Sequence, residues 1–352
     1  MDFVTSEYYF YFLPMAFVLA MWLSFGIRKY QISILVLMSY LFFWFASGWH
    51  LILLLISTCV DWTAGAKIAN SKDNFVKKRW LKLSLVTNLT ILALFKYLDF
   101  IIESINWVSL KIPGSPEMDT FGLALPVGIS FYTFQTMSYT IDIYRDESKK
   151  YDSFLDFACY AAFFPQLVAG PIVRADHFKK EIAEPLVMNS MKFRLGLTLI
   201  IYGIAKKFIV ADNVALHANY IFTEGEHLAN IGLIWWGTLC FGIQIYCDFS
   251  AYTDIAIGSA YLLGVKLPEN FKTPYAATSP QDFWRRWHIS LSTWLRDYVY
   301  IPLGGSKNGP RVLLIALMGT MLLGGLWHGA SWNFVLWGFM HGLLLIIHRA
   351  FK

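Results

Sequence analysis

The sequence predicts an all-α, polytopic integral membrane protein with about 9–11 transmembrane or re-entrant helices. Three observations carry that expectation. The 352 residues are 57% hydrophobic and only 15% charged, where soluble domains carry roughly a quarter charged residues. Nine apolar segments approach the roughly 20 residues needed to cross a bilayer core: 10–27, 32–45, 51–66, 83–105, 121–144, 193–210, 231–263, 312–326 and 331–347. Several are short for a straight span, so tilted or half-spanning helices are expected. A further apolar stretch, 152–171, is broken by Pro165, Gly170 and Pro171.

Taken in order, the chain opens on MDFVTSEYYF, acidic and aromatic, and its first basic residues, Arg28 and Lys29, follow the first apolar segment. A cleavable signal peptide opens on a basic region instead. This order predicts a retained first helix with an extracytoplasmic N-terminus. Lys67, Lys72, Lys77, Lys78, Arg79 and Lys82 cluster after the third segment, on the same side as Arg28, and the positive-inside rule makes that side cytoplasmic. The 46–50 loop has no Lys or Arg and the 106–120 loop has only Lys111, as expected outside. Lys96 and Asp99, three residues apart, read as a local pair.

The broken stretch 152–171 is preceded by Arg145, Lys149 and Lys150 and followed by Arg174, Lys179 and Lys180. Basic flanks on both sides suggest that it enters and leaves on the cytoplasmic side. Irregular backbone at that depth must be buried in protein or line a wet cavity. The GPIVR turn is therefore a candidate wall of a cytoplasmic funnel, the plain alternative being an interfacial loop. Residues 211–230, with Asp212, Glu224 and Glu226, fit the outside. Asp248 and Asp254 in the next segment are costly unless paired or solvated, and the polar face of a helix carrying Arg285 and Arg286 is their expected partner. Cys59, Cys159, Cys240 and Cys247 lie in apolar segments and read as small buried residues. Neither C-x-x-C nor H-E-x-x-H spacing occurs, so no metal is expected. No basic tract argues for nucleic acid.

Residues 279–302 read as one helix. Ser279 is a cap, Pro280 suits the first helical position, Asp282 follows three residues after the cap, and Pro302 stops it. Trp284, Trp287, His288, Leu291, Trp294, Leu295 and Tyr298 share one face. A Trp-rich, Arg-flanked helix of this kind belongs at a membrane interface, with His288 packed in its aromatic stripe. The surrounding loop, 266–311, carries Lys266, Lys272, Arg285, Arg286, Arg296, Lys307 and Arg311. It is expected in the cytoplasm, facing anionic lipid headgroups or an anionic donor such as a coenzyme A pyrophosphate. His328 ends an apolar run among Gly324, Gly325 and Gly329, a setting for close approach of backbone or ligand. A reactive role and a structural, hydrogen-bonded role both remain open for it. Trp337, His341 and His348 share a helical face, and His348, beside Arg349, is expected at the interface.

FWRRWHISLSTWLRDYVYIPLGG followed by GLWHGASWNFVLWGFMHG resembles the signature of the membrane-bound O-acyltransferase superfamily. FFPQLVAGPIVRADHF and YCDFSAYTDIAIG are similar to the bacterial branch that O-acetylates exported polysaccharides such as alginate and peptidoglycan. The resemblance extends over residues 1–352 as one transmembrane domain with helices around a central funnel or tunnel, in the bacterial inner membrane. It implies transfer of an acyl group, chiefly acetyl, from a cytoplasmic thioester such as acetyl-coenzyme A, which is a substrate and not a bound cofactor. His328 is the implied base, or a transient acyl carrier, and His288 its partner as orienter or oxyanion stabiliser. Trp284, Arg285, Arg286, Trp287, Trp327 and His341 are the candidate donor-binding residues. The implied partners are an extracytoplasmic acyltransferase, an exported polysaccharide as final acceptor, and membrane lipid. Family members continue past this point with further helices, so an incomplete channel is an expectation. Two other classes stay open: a transporter or flippase, and a non-catalytic scaffold for a partner transferase.

Overall fold

The computed structural model describes residues 3–112, 115–168, 170–224 and 230–351. They form helices and connecting turns with no strand. In chain order the helices are α1 (Tyr8–Leu23), α2 (Arg28–Ser47), α3 (Leu51–Asn70), α4 (Asn74–Ser109), α5 (Ile129–Arg145), α6 (Phe154–Ala162) and α7 (Phe164–Leu167). They continue as α8 (Ala175–Glu181), α9 (Ser190–Ala205), α10 (Asp212–Asn219), α11 (Ile231–Leu262), α12 (Pro280–Arg286), α13 (Ile289–Leu295), α14 (Pro310–His328) and α15 (Trp332–Ala350). Among the described residues four helical stretches are long and apolar enough to cross a membrane: 28–70, 74–109, 310–328 and 332–350.

Eight of the nine apolar segments coincide with helices. The exception is 121–144, which is irregular up to Gly128 and helical only from Ile129. The physical reason lies at the start of α5. Pro126 disfavours helix in the residue before it, and Gly128 takes a left-handed conformation (φ +71°) that a helix interior does not use.

Contacts divide the described chain into two compact units. The first draws on residues within 1–46, 158–173 and 177–270. Its core is aromatic: Phe3, Tyr8, Phe12, Phe42 and Phe164 pack ring on ring. Tyr8 Oη donates to Ser259 Oγ at 2.8 Å. Helices α9 and α11 touch backbone to backbone, where a Cβ on Gly258 would lie 2.6 Å from the Gly196 carbonyl oxygen. Asp254 and Asp248 belong to this unit, and their partners correct the expectation of Arg285 and Arg286. Lys206 meets Asp254 at 2.5 Å, and Lys207 meets Asp248 at 2.7 Å and Asp212 at 2.8 Å. A π-helical turn at Lys206–Ala211 presents both lysines to α11. The GPIVR segment is irregular and buried from Gly170 to Val173. Glu226, read as part of an external loop, lies outside the described residues. Cys159, Cys240 and Cys247 are buried, whereas Cys59 is exposed on α3, because successive helical turns carry it off the packed face.

The second unit takes residues 47–157, 174–176 and 271–352. Helices α3 and α4 form a hairpin, with Asp73 capping α4 by accepting from the Phe75 amide at 2.8 Å. Between α3, α4 and α5 the fully buried Asp61 accepts from Ser84, from Asn88 at 2.9 Å and from Thr140 at 3.1 Å. Such pairing offsets the cost of burying a carboxyl group in an apolar bundle. The candidate catalytic and donor-binding residues, Trp284, Arg285, Arg286, Trp287, His288, Trp327, His328 and His341, lie in this unit.

Candidate active site

The site begins at Ser279, which caps α12 as its sequence implies. Its Oγ accepts from the Asp282 amide at 3.1 Å, and Pro280 occupies the first turn. The Asp282 carboxylate takes Arg286 Nε on both oxygens at 3.0 Å and accepts from the Thr278 amide at 3.3 Å. Arg286, with help from that amide, holds the Asp282 carboxyl below its ordinary value of 3.8.

The helix then breaks, contrary to the single helix expected over 279–302. Trp287 is extended, and His288 stands in the left-handed region (φ 41°, ψ 56°) as the cap of α13. Neither residue is Pro or Gly, so packing must select the break. Both rings are buried, Trp287 at 6% exposure and His288 at 0%. An unbroken helix turns consecutive residues about 100° apart. The extended–left-handed step instead seats Trp287 against Phe271 and Phe283, at 5.2 and 5.5 Å between ring centres. It seats His288 against Phe131 and Trp327, at 6.3 and 5.5 Å. A left-handed non-glycine residue costs roughly 1–2 kcal/mol, and such strain collects at functional sites.

His328 is the last residue of α14. Its imidazole packs edge-on against Trp327 at 5.1 Å and Trp337 at 5.0 Å. Gly325 of α14 and Gly338 of α15 serve backbone approach: a Cβ on Gly325 would lie 2.2 Å from the Phe334 carbonyl oxygen, and one on Gly338 2.4 Å from that of Met321. Helices α14 and α15 thus cross in direct backbone contact. The two signature histidines meet through Trp327, whose buried indole touches both rings.

Beside this cluster lies a cavity of about 390 Å³ between α12, α13, α14 and α15. His328, Trp284, Trp337 and aliphatic side chains line it, together with Arg285, Arg296, Arg349 and His348. No described carboxylate lines it. The net positive, partly apolar lining suits an anion with an apolar arm.

Of the predicted residues, His328, Trp284 and Arg285 line the cavity. His341 packs on Trp284 at 5.2 Å and Trp337 at 4.4 Å. His288 and Trp327 sit buried against His328's neighbourhood, outside the lining. Arg286 is tied to Asp282, and Trp287 is packed into the aromatic wall. Arg296, expected in a loop facing lipid or an anionic donor, lines the cavity, and sequence reasoning missed Arg349 and His348 as lining residues. The helical face shared by Trp337 and His348 was the available signal.

It also missed Lys96. The expected Lys96–Asp99 pair does not form. Lys96 Nζ donates to the Trp327 carbonyl and to Ser130 Oγ at 2.9 Å. Asp99 accepts from the amides of Phe121 and Gly122 at 2.9 and 3.0 Å. A π-helical turn (Ala93–Tyr97) shifts the register between the two residues, which simple helical spacing does not anticipate.

With this geometry, residues 40–352 match the membrane-bound O-acyltransferase family, and the chain belongs to it. Among its curated relatives, a probable alginate O-acetylase of Pseudomonas syringae pv. tomato is 40% identical over 355 residues, covering 99% of this chain and 66% of the relative. A peptidoglycan O-acetyltransferase of Helicobacter pylori is 36% identical over 346 residues, covering 90% of this chain and 64% of the relative. A teichoic acid D-alanyltransferase of Bacillus subtilis is 29% identical over 260 residues, covering 70% and 64%. The chain spans about two thirds of the length of these relatives.

Proposed function

We propose that this chain carries the catalytic core of a membrane O-acyltransferase. It moves an acyl group, chiefly acetyl, from a cytoplasmic thioester across the bacterial inner membrane toward an exported polysaccharide. The observation that carries the reading is the joining of His288 and His328 through one indole, beside a cavity with three arginines and no described carboxylate in its lining. The names of the alginate and peptidoglycan relatives support acetyl and a polymer acceptor.

His328 acts as the general base. Its neutral imidazole accepts the proton of an acceptor hydroxyl. The hydroxyl oxygen attacks the thioester carbonyl, the C–S bond breaks, and the leaving thiolate takes the proton back from the imidazolium. His288 orients the reacting groups or stabilises the developing oxyanion. Arg285, Arg296 and Arg349 hold the donor's phosphates, while Trp284 and Trp337 keep water from its thioester arm. The acceptor hydroxyl belongs to an extracytoplasmic partner acyltransferase, which passes the group to the polymer.

The test is thioester turnover. The protein in nanodiscs, with and without its partner, is given radiolabelled acetyl-coenzyme A beside folded His328→Ala and His288→Ala variants. His328-dependent release of free coenzyme A is expected, with a loss of about 10²–10⁴ in rate for His328→Ala. Equal turnover in all three sinks the assignment, and uniformly absent turnover directs attention to transport.

A further inference from the structure

Helix α4 carries a π-helical turn at Ala93–Tyr97, a feature that is rare in general and frequent at functional sites. Here it aims two consecutive side chains at one target. Lys96 Nζ donates to the Trp327 carbonyl, and Tyr97 Oη donates to the Leu326 carbonyl at 2.8 Å. Both carbonyls lie in the last turn of α14, where a helix leaves carbonyl groups without intrahelical partners and carries its negative dipole end. His328 is the final residue of that turn, and the Gly329 amide closes it only at 3.4 Å from the Gly325 oxygen. Ser130 Oγ and the face of Trp327, 5.6 Å from Nζ, hold the ammonium in place. A lysine in an apolar bundle is costly unless it has a purpose-built partner, and the helix end supplies one.

We propose that Lys96 is a positioning residue for His328: with Tyr97 it caps the C-terminus of α14 and so fixes the direction of the imidazole. The proposal rests on the reading of His328 as base. Lys96 does not touch the reacting atoms. It acts through the backbone of Trp327, which joins both histidines.

The test uses the full chain in nanodiscs with Lys96→Met, Lys96→Arg and Tyr97→Phe, each checked for folding by its thermal midpoint. Lys96→Met is expected to lower kcat about 30-fold with the donor KM unchanged, since small misplacements of a reacting group cost up to about 10²-fold. Lys96→Arg restores most of the rate, and Tyr97→Phe loses a few-fold, about threefold. A kcat within about twofold of wild type in folded Lys96→Met overturns the proposal, as does a change confined to KM. If Lys96→Met does not fold, Tyr97→Phe carries the same test. Hydrogen exchange at the amides of residues 327–331 separates this proposal from the functional reading. Should wild type show no turnover, exchange that is about tenfold faster in the variant keeps the clamp, and unchanged exchange sinks it.

Discussion

The imidazole of His288 lies 5.5 Å from the indole of Trp327, the residue that immediately precedes His328 in the chain. One aromatic side chain therefore sets the spacing of two histidines that the sequence keeps in separate motifs. Replacing Trp327 by Leu should leave both histidines present and slow thioester turnover by about 10²-fold through misplacement. Turnover at wild-type rate in the folded variant would show that the spacing is set elsewhere.

The backbone at His288 can be tested apart from its ring. His288→Gly and His288→Ala both remove the imidazole, but only glycine adopts φ 41° without cost. The Gly variant should be more stable than the Ala variant by about 1 kcal/mol, read from thermal or denaturant unfolding in detergent. Equal stabilities would mean that the left-handed turn relaxes once the ring is gone.

Gly338→Ala should destabilise the protein by about 2 kcal/mol, because the new methyl meets the fixed Met321 carbonyl at the α14–α15 crossing. Gly342→Ala is the control. Its methyl would meet the Met318 thioether at 2.8 Å, a flexible chain end that can move aside. A lowered thermal midpoint in the first and little change in the second is the expected pattern.

In the first unit, Lys206→Met strands Asp254, whose side chain is only 20% exposed. Removing one partner of a buried pair costs about 3 kcal/mol. Lys206→Met combined with Asp254→Leu should recover most of that loss, and a double-mutant cycle measures the coupling.

The start of α12 predicts a pH dependence. Arg286 depresses the folded-state pKa of Asp282. Its contribution to stability is therefore present above the unfolded value of about 3.8 and is lost as pH falls through the lower folded value. Asp282→Asn should flatten that part of an acid titration of stability, and an unchanged slope would assign it to other carboxylates.

What was legible in the sequence follows from which forces are local. The Ser279 cap, the Pro280 start and most apolar spans depend on neighbours a few residues away, and they stand where the sequence puts them. The break at His288 does not. Its aromatic periodicity runs straight through 284–298, and only the two-sided packing of Trp287 and His288 interrupts it. Partner choice was equally hidden. Asp254 and Asp248 find Lys206 and Lys207 because a π turn rotates both lysines onto α11, and Lys96 leaves Asp99 for a helix end far along the chain. Local spacing detects a charge in a membrane helix but not the long-range partner that neutralises it.

The bond between Lys96 and the Trp327 carbonyl joins positions 231 residues apart in the sequence. A chain emerging from the ribosome inserts Lys96 long before Trp327 exists. Until then the lysine sits in an apolar helix without its final acceptor, and the α4 π turn has nothing to hold. The two histidines are thus brought together only after α14 has been made, so the earlier helices enter the membrane before this cluster exists.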